Sequence, residues 1–229
     1  MKVNCDSDEF SCQNAFFFSK MCDIAYSTRD EVKAMLQGSE TETGLGFEHF
    51  KWFEAPKEES EKYLFDAVQD TEAFVAANDD VVVAVFRGTM ELTDWCTNLD
   101  FIPRRVEETW GLEGEGCDVH QGFDDGVNTV WHGDDGMLAM LKSLVSEEGK
   151  NRKLYVTGHS LGGALATVAG ARLAFEHDMN IAGIYTIGSP SVFDGQLCAQ
   201  FDAKMNHGTS LKDKYFRCRN NNDMVTRLV

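Results

Sequence analysis

Ser160 stands in the run Gly158-His159-Ser160-Leu161-Gly162-Gly163, a Gly-x-Ser-x-Gly pattern that sets one hydroxyl among residues without side chains. The chemistry open to such a serine is nucleophilic attack on an acyl carbonyl. The pattern alone is a weak signal, because a glycine-rich helix entry with no chemistry looks the same. Its flanks strengthen it. A sharp strand-to-helix turn that presents a serine needs small residues on both sides, so that the two elements can pack closely. Gly158, Gly162, Gly163 and Ala164 meet that need, and Ala166 and Ala169-Gly170 keep the following helix thin against a sheet. Such a turn leaves the Leu161 N–H at a helix N-terminus, where it can hold an oxyanion.

That turn requires a strand before it and a helix after it. Leu154-Tyr155-Val156-Thr157 reads as the short buried strand, and Leu161 to Phe175 as the small-residue helix. Upstream, Thr71 to Ala77 and Val81 to Phe86 read as paired strands joined by an Asn78-Asp79-Asp80 turn. Val81 to Phe86 is apolar on both faces, as a central strand covered on both sides must be. Downstream, Ile181 to Ile187 and Lys214 to Arg219 are strands, with a helix from Asp194 to Met205 between them. Phe123 to Val145 reads as one long helix despite Gly126, Gly133 and Gly136. Near the N-terminus, Phe17, Met21, Ile24 and Ala25 recur at helical spacing, and Thr28-Arg29-Asp30-Glu31 opens a second helix. Residues 37–72 are rich in glycine and acids with aromatic punctuation, and read as irregular cover. Strands alternating with helices make an α/β protein with a largely parallel sheet. No linker or repeat divides it, so one domain is expected.

The composition excludes several classes. The 229 residues are 43% hydrophobic and 26% charged, the balance of a globular chain rather than a disordered one. The 21 Lys+Arg against 38 Asp+Glu give a net charge of −17, which repels phosphate backbones and anionic membrane surfaces, so no nucleic-acid partner is expected. The acids are dispersed, as on a solvated surface. No stretch approaches the roughly 18 apolar residues of a membrane helix. The first residues, Met-Lys-Val-Asn-Cys-Asp, show no secretory leader, which makes the chain as written cytoplasmic; secretion stays open if the N-terminus is incomplete. The seven cysteines lack metal-type spacing and read as free, mostly buried thiols.

Taken together, five stretches give the chain a family resemblance. Phe86-Arg87-Gly88-Thr89 with Asp94-Trp95, Val119-His120-Gln121-Gly122-Phe123, Val156 to Leu165, Tyr185-Thr186-Ile187-Gly188-Ser189-Pro190 and Asn222-Asp223-Met224-Val225 occur in order. In these the chain resembles the class 3 (fungal-type) lipases of the α/β-hydrolase fold. The resemblance implies an acyl hydrolase with Ser160 as nucleophile and Thr89 and Leu161 N–H groups as oxyanion donors; Thr89 read without it is a turn threonine. It implies a lid over Met90 to Leu99. There Leu92, Trp95, Cys96 and Leu99 share one helical face opposite Glu91, Asp94 and Asn98. A surface helix that never moves is the other reading of that segment. Asp223 fits the hydrolase order Ser…Asp…His. Its competitors fit less well, since Asp194 reads as a helix N-cap and Asp213 precedes a strand. No metal or organic cofactor is implied. The expected partner is a lipid ester substrate, with transient contact at a lipid interface.

One element of the family pattern is missing. The triad's histidine lies downstream of its aspartate in this family, yet all six histidines here precede Asp223. His159 adjoins Ser160 but points away from it on such a turn. His120 matches a helix-start position, and His49, His132, His177 and His207 read as surface or helix-end residues. The expectation is a fragment of a complete lipase that ends within its domain. The alternative is a lipid-binding pseudoenzyme without its base. Lacking a triad member, the chain by itself would retain only ~10³–10⁴ over water.

Overall fold

The structure, a computed structural model, describes residues 2–5, 9–37, 45–56, 71–89 and 102–219. Its strands are β1 (His49–Glu54), β2 (Glu72–Ala77), β3 (Val81–Phe86), β4 (Pro103–Arg105), β5 (Asp118–His120), β6 (Lys153–His159), β7 (Ile181–Ile187), β8 (Met205–Asn206), β9 (Thr209–Ser210) and β10 (Tyr215–Cys218). Six of them form one sheet in the order β1-β2-β3-β6-β7-β10. β3, β6, β7 and β10 run parallel, while β1 and β2 add antiparallel pairings at one edge.

The apolar runs explain why helices cover both faces. Along β2 and β3, Ala73, Val75, Ala77, Val82, Ala84 and Phe86 enter a core shared with Leu165 and Ala169 of the helix Leu161–Phe175. The alternate residues Phe74, Ala76, Val81, Val83 and Val85 enter a second core with Phe17, Phe18 and Met21 of the helix Cys12–Ile24. This is the period-2 alternation of a strand, with both faces buried. Phe18 and Phe74 are fully buried, and each burial contributes about 2–3 kcal/mol.

Three expectations need correction. Residues 37–72 are not all irregular, since β1 pairs with β2 from His49↔Ala77 to Glu54↔Glu72. Trp52 stacks on Phe74 with ring centroids 6.1 Å apart, so aromatic packing makes a strand where the neighbouring acids and glycines obscure the pattern. The stretch 123–145 is two helices, Gln121–Trp131 and Met137–Val145. The chain turns at Gly133, whose φ of +89° suits a residue without Cβ, and a Cβ on Gly136 would overlap the carbonyls of Trp131 and His132. Among the described residues the thiols are not mostly buried: Cys22 and Cys117 are, Cys5 and Cys218 are half-buried, and Cys12 and Cys198 are exposed, while Cys96 lies outside the described residues.

Helix Gln121–Trp131 is fastened to helix Leu161–Phe175 by the buried Arg172, which donates to Asn128 Oδ1 (2.6 Å) and Glu176 Oε1 (2.9 Å) and lies over the Trp131 ring. His177 stacks on the same ring, and its buried Nε2 has no hydrogen-bond partner among the described residues. Glu176 lies 3.5 Å from that nitrogen and favours the imidazolium. Burial outweighs it, aided by the Lys142 and Arg172 cations, and holds the His177 pKa at about 4. An unfolded histidine titrates near 6.5, so folding keeps His177 neutral, and the stability it contributes at neutral pH is lost as pH falls from about 6.5 toward 4. Burial raises the Glu176 carboxyl, which offsets part of that loss at the acid end. Urea unfolding is expected to show lower stability at pH 5 than at pH 7, by about 1 kcal/mol once solvent screening and the Glu176 offset are counted. The loss should shrink in His177→Phe, and an equal loss in that variant would place its cause elsewhere.

Candidate active site

β6 ends at His159 and its helix begins at Leu161, so Ser160 alone makes the turn. Its φ of 56° with ψ of −124° is a conformation that residues with side chains rarely adopt, at a cost of about 1–3 kcal/mol. The surroundings hold it there. Ser160 N–H donates to Ile187 O (2.9 Å), and Gly163 N–H donates to Ser160 O (2.9 Å). A Cβ on Gly158 would overlap the Gly162 backbone, and one on Gly162 would overlap Phe86 O at the end of β3. Gly162→Ala is therefore expected to cost at least about 3 kcal/mol in urea unfolding, because the obstacle is backbone and cannot swing aside. A loss below about 1 kcal/mol would mean that the elbow is looser than described.

Ser160 is buried, and its Oγ has no hydrogen-bond partner among the described residues. A strained backbone and an orphaned buried hydroxyl on one residue are two costs that fold stability alone does not explain. Strand register brings together the two residues expected to donate to an oxyanion. β3 and β6 are parallel neighbours with Phe86 opposite Gly158. Three residues beyond Phe86 lies Thr89, and three beyond Gly158 lies Leu161, so both come to the same carboxyl edge of the sheet. The Leu161 N–H opens its helix and has no intrahelical acceptor. The loop after β3 is tied down by Arg87, whose N–H donates to Glu72 O (2.9 Å) and whose guanidinium pairs with the Glu72 carboxylate.

None of the six histidines hydrogen-bonds Ser160 Oγ. His159 Nδ1 lies 2.8 Å from Tyr26 Oη, so this histidine is engaged elsewhere, as the sequence implied. His120 caps helix Gln121–Trp131 by accepting from Gly122 N–H, and His207 Nε2 meets Asp178 O at 2.8 Å. His132 ends helix Gln121–Trp131, and His49 opens β1. Asp194 is the expected N-cap, accepting from Leu197 N–H at 2.7 Å, and Asp213 accepts from Ser210 Oγ. Asp223 and the lid positions Met90, Leu92, Trp95 and Leu99 lie outside the described residues. Tyr26 is the site residue that sequence reasoning missed; it stands just past a helix end with no motif around it.

A family model described as lipase (class 3) matches residues 83–229. The chain belongs to the class 3 lipase family. A secreted mono- and diacylglycerol lipase of Fusarium solani is 35% identical over 165 residues, which are 68% of this chain and 42% of that protein. The triacylglycerol lipase OBL1 of Nicotiana tabacum is 44% identical over 92 residues, 38% of this chain and 15% of that protein. The chain thus spans less than half the length of these curated relatives. Among solved structures, Rhizomucor miehei triacylglyceride lipase superposes with a TM-score of 0.71 at 20% identity, covering 96% of this chain and 76% of that one. The fold is that of the α/β-hydrolases.

Proposed function

We propose that the protein is a serine carboxylic ester hydrolase acting on acylglycerols or related lipid esters. The observation that carries this reading is Ser160, strained at the elbow with an unpartnered buried hydroxyl beside the N–H of Leu161. Ser160 Oγ attacks the ester carbonyl. The tetrahedral oxyanion takes hydrogen bonds from the Thr89 and Leu161 N–H groups, and collapse expels the alcohol and leaves an acyl-serine. Water then attacks the acyl-serine and releases the acid. The serine's proton needs a base that returns it to the leaving alcohol. None of the six histidines holds Ser160, so the reading requires a histidine from outside these 229 residues, oriented by Asp223.

The lipid part of the proposal rests on the family and on the apolar residues Met90, Leu92, Trp95 and Leu99, which would meet the substrate or its interface. With a net charge of −17, that contact would be apolar rather than with anionic headgroups. The test compares the natural full-length protein on emulsified acylglycerol and on a short soluble ester. Faster turnover of the emulsion is expected. Turnover of the soluble ester alone would retain the nucleophile and remove the lipid substrate.

A further inference from the structure

We infer that Tyr26 is a positioning residue of the oxyanion site, its phenol fastening the residue before Thr89 to the residue before Ser160. Those two residues are Gly88 and His159. Tyr26 Oη lies 2.8 Å from His159 Nδ1 and packs directly against the Gly88 backbone, where it is placed to accept from the Gly88 N–H. The approach is close: a Cβ on Gly88 would overlap the phenol oxygen and come within 2.5 Å of His159 O. Glycine at 88 is thereby explained without any special backbone angle.

A phenol has one proton and two lone pairs, so it can donate to Nδ1 while accepting from Gly88. This arrangement makes His159 the tautomer with its proton on Nε2. Burial raises the Tyr26 pKa to about 12, with the Cys22 thiol adding to it, so the phenol remains a donor across the neutral range. The ring is held on its other sides as well. It meets the His159 ring edge-on at 5.9 Å, and the Arg87 guanidinium carbon lies 5.9 Å from its centroid. Tyr26 N–H donates to Asp23 O (3.2 Å), and Cys22 Sγ meets Thr157 Oγ1 of β6 at 3.4 Å, so the helix preceding Tyr26 is set against the strand that carries the elbow.

The consequence is geometric. Two oxyanion donors, one on a loop and one at a helix start, must keep a fixed separation, and strand pairing between β3 and β6 stops at Phe86 and Gly158, short of both donors. Beyond that point the Tyr26 hydroxyl bridges the two segments. An oxyanion donor matters most in the transition state, so loosening it lowers kcat with little change in KM.

This inference rests on the hydrolase reading. Its test therefore uses the natural full-length protein with two readouts, steady-state hydrolysis of a short soluble ester and amide hydrogen exchange over residues 83–89. Tyr26→Phe keeps the ring and loses the bridge. It is expected to lower kcat about 10- to 50-fold with KM within about twofold, and to speed exchange in that segment. His159→Leu should match it, and the double variant should be no worse than either single one. His159→Asn, which restores an acceptor near Nδ1, should recover most of the rate lost in His159→Leu. Should His159→Leu fail to fold, Tyr26→Phe decides alone. Unchanged kcat and exchange in Tyr26→Phe, or effects that multiply in the double variant, would overturn the inference. If the wild type turns over no faster than Ser160→Ala, it is the hydrolase reading that fails, and unchanged or faster exchange in Tyr26→Phe then decides whether the phenol holds the loop.

Discussion

Ser160→Ala in the natural full-length protein is expected to lower kcat about 10⁶-fold, the loss typical of removing the nucleophile from a serine hydrolase. In the 229-residue chain, where no histidine meets Ser160 Oγ, the same change should leave the fold slightly stronger. Ser160 Oγ is buried with no partner among the described residues, and a hydroxyl in that position costs about 1–3 kcal/mol that alanine does not incur. Ser160→Gly should be more stable again, because glycine adopts a φ of 56° without the steric penalty. Urea unfolding measures both. Activity lost together with a rise in stability marks a residue kept for chemistry. Activity lost together with a fall in stability would mark Ser160 as a structural residue instead.

The second large effect is expected at Asp223. Asp223→Asn should lower kcat about 10⁴-fold, because an amide in place of the carboxylate favours the wrong histidine tautomer and gives no charge to stabilise the imidazolium. The two other candidate acids supply the contrast. Asp194 is committed to the N-terminus of helix Gly195–Ala203, and Asp213 to the start of helix Leu211–Lys214. Asp194→Ala should cost about 1 kcal/mol as a lost cap while changing kcat less than about twofold. Equal losses of kcat at Asp194 and Asp223 would contradict the assignment.

Much of this arrangement was legible in the residues because each piece had a strong local cause. Val81 to Phe86 could only be a two-sided strand, and the small residues from Gly158 to Gly170 left little choice but a thin helix pressed on a sheet. The elbow helix accordingly runs over Leu161–Phe175 as expected, and β7 over Ile181–Ile187. Two elements were hidden because tertiary packing formed them. β1 is held by Trp52 and Phe53 reaching opposite faces of the sheet, and nothing in its own sequence alternates cleanly. The break at His132 to Gly136 depends on a glycine in a left-handed turn, which periodicity does not weigh. Tyr26 was hidden for a different reason. Its partner His159 is 133 residues away along the chain, and only the fold brings the phenol to it.

The central claim is that Ser160 forms a covalent bond with the acyl group. The most direct measurement is to treat the natural full-length protein with an activated alkyl phosphonate ester and map the adduct by peptide mass spectrometry. The expected result is a single adduct on the peptide containing Ser160, formed in step with the loss of ester hydrolysis and absent from Ser160→Ala. Hydrolysis that continues while Ser160 stays unmodified, or that survives in Ser160→Ala, would contradict the account.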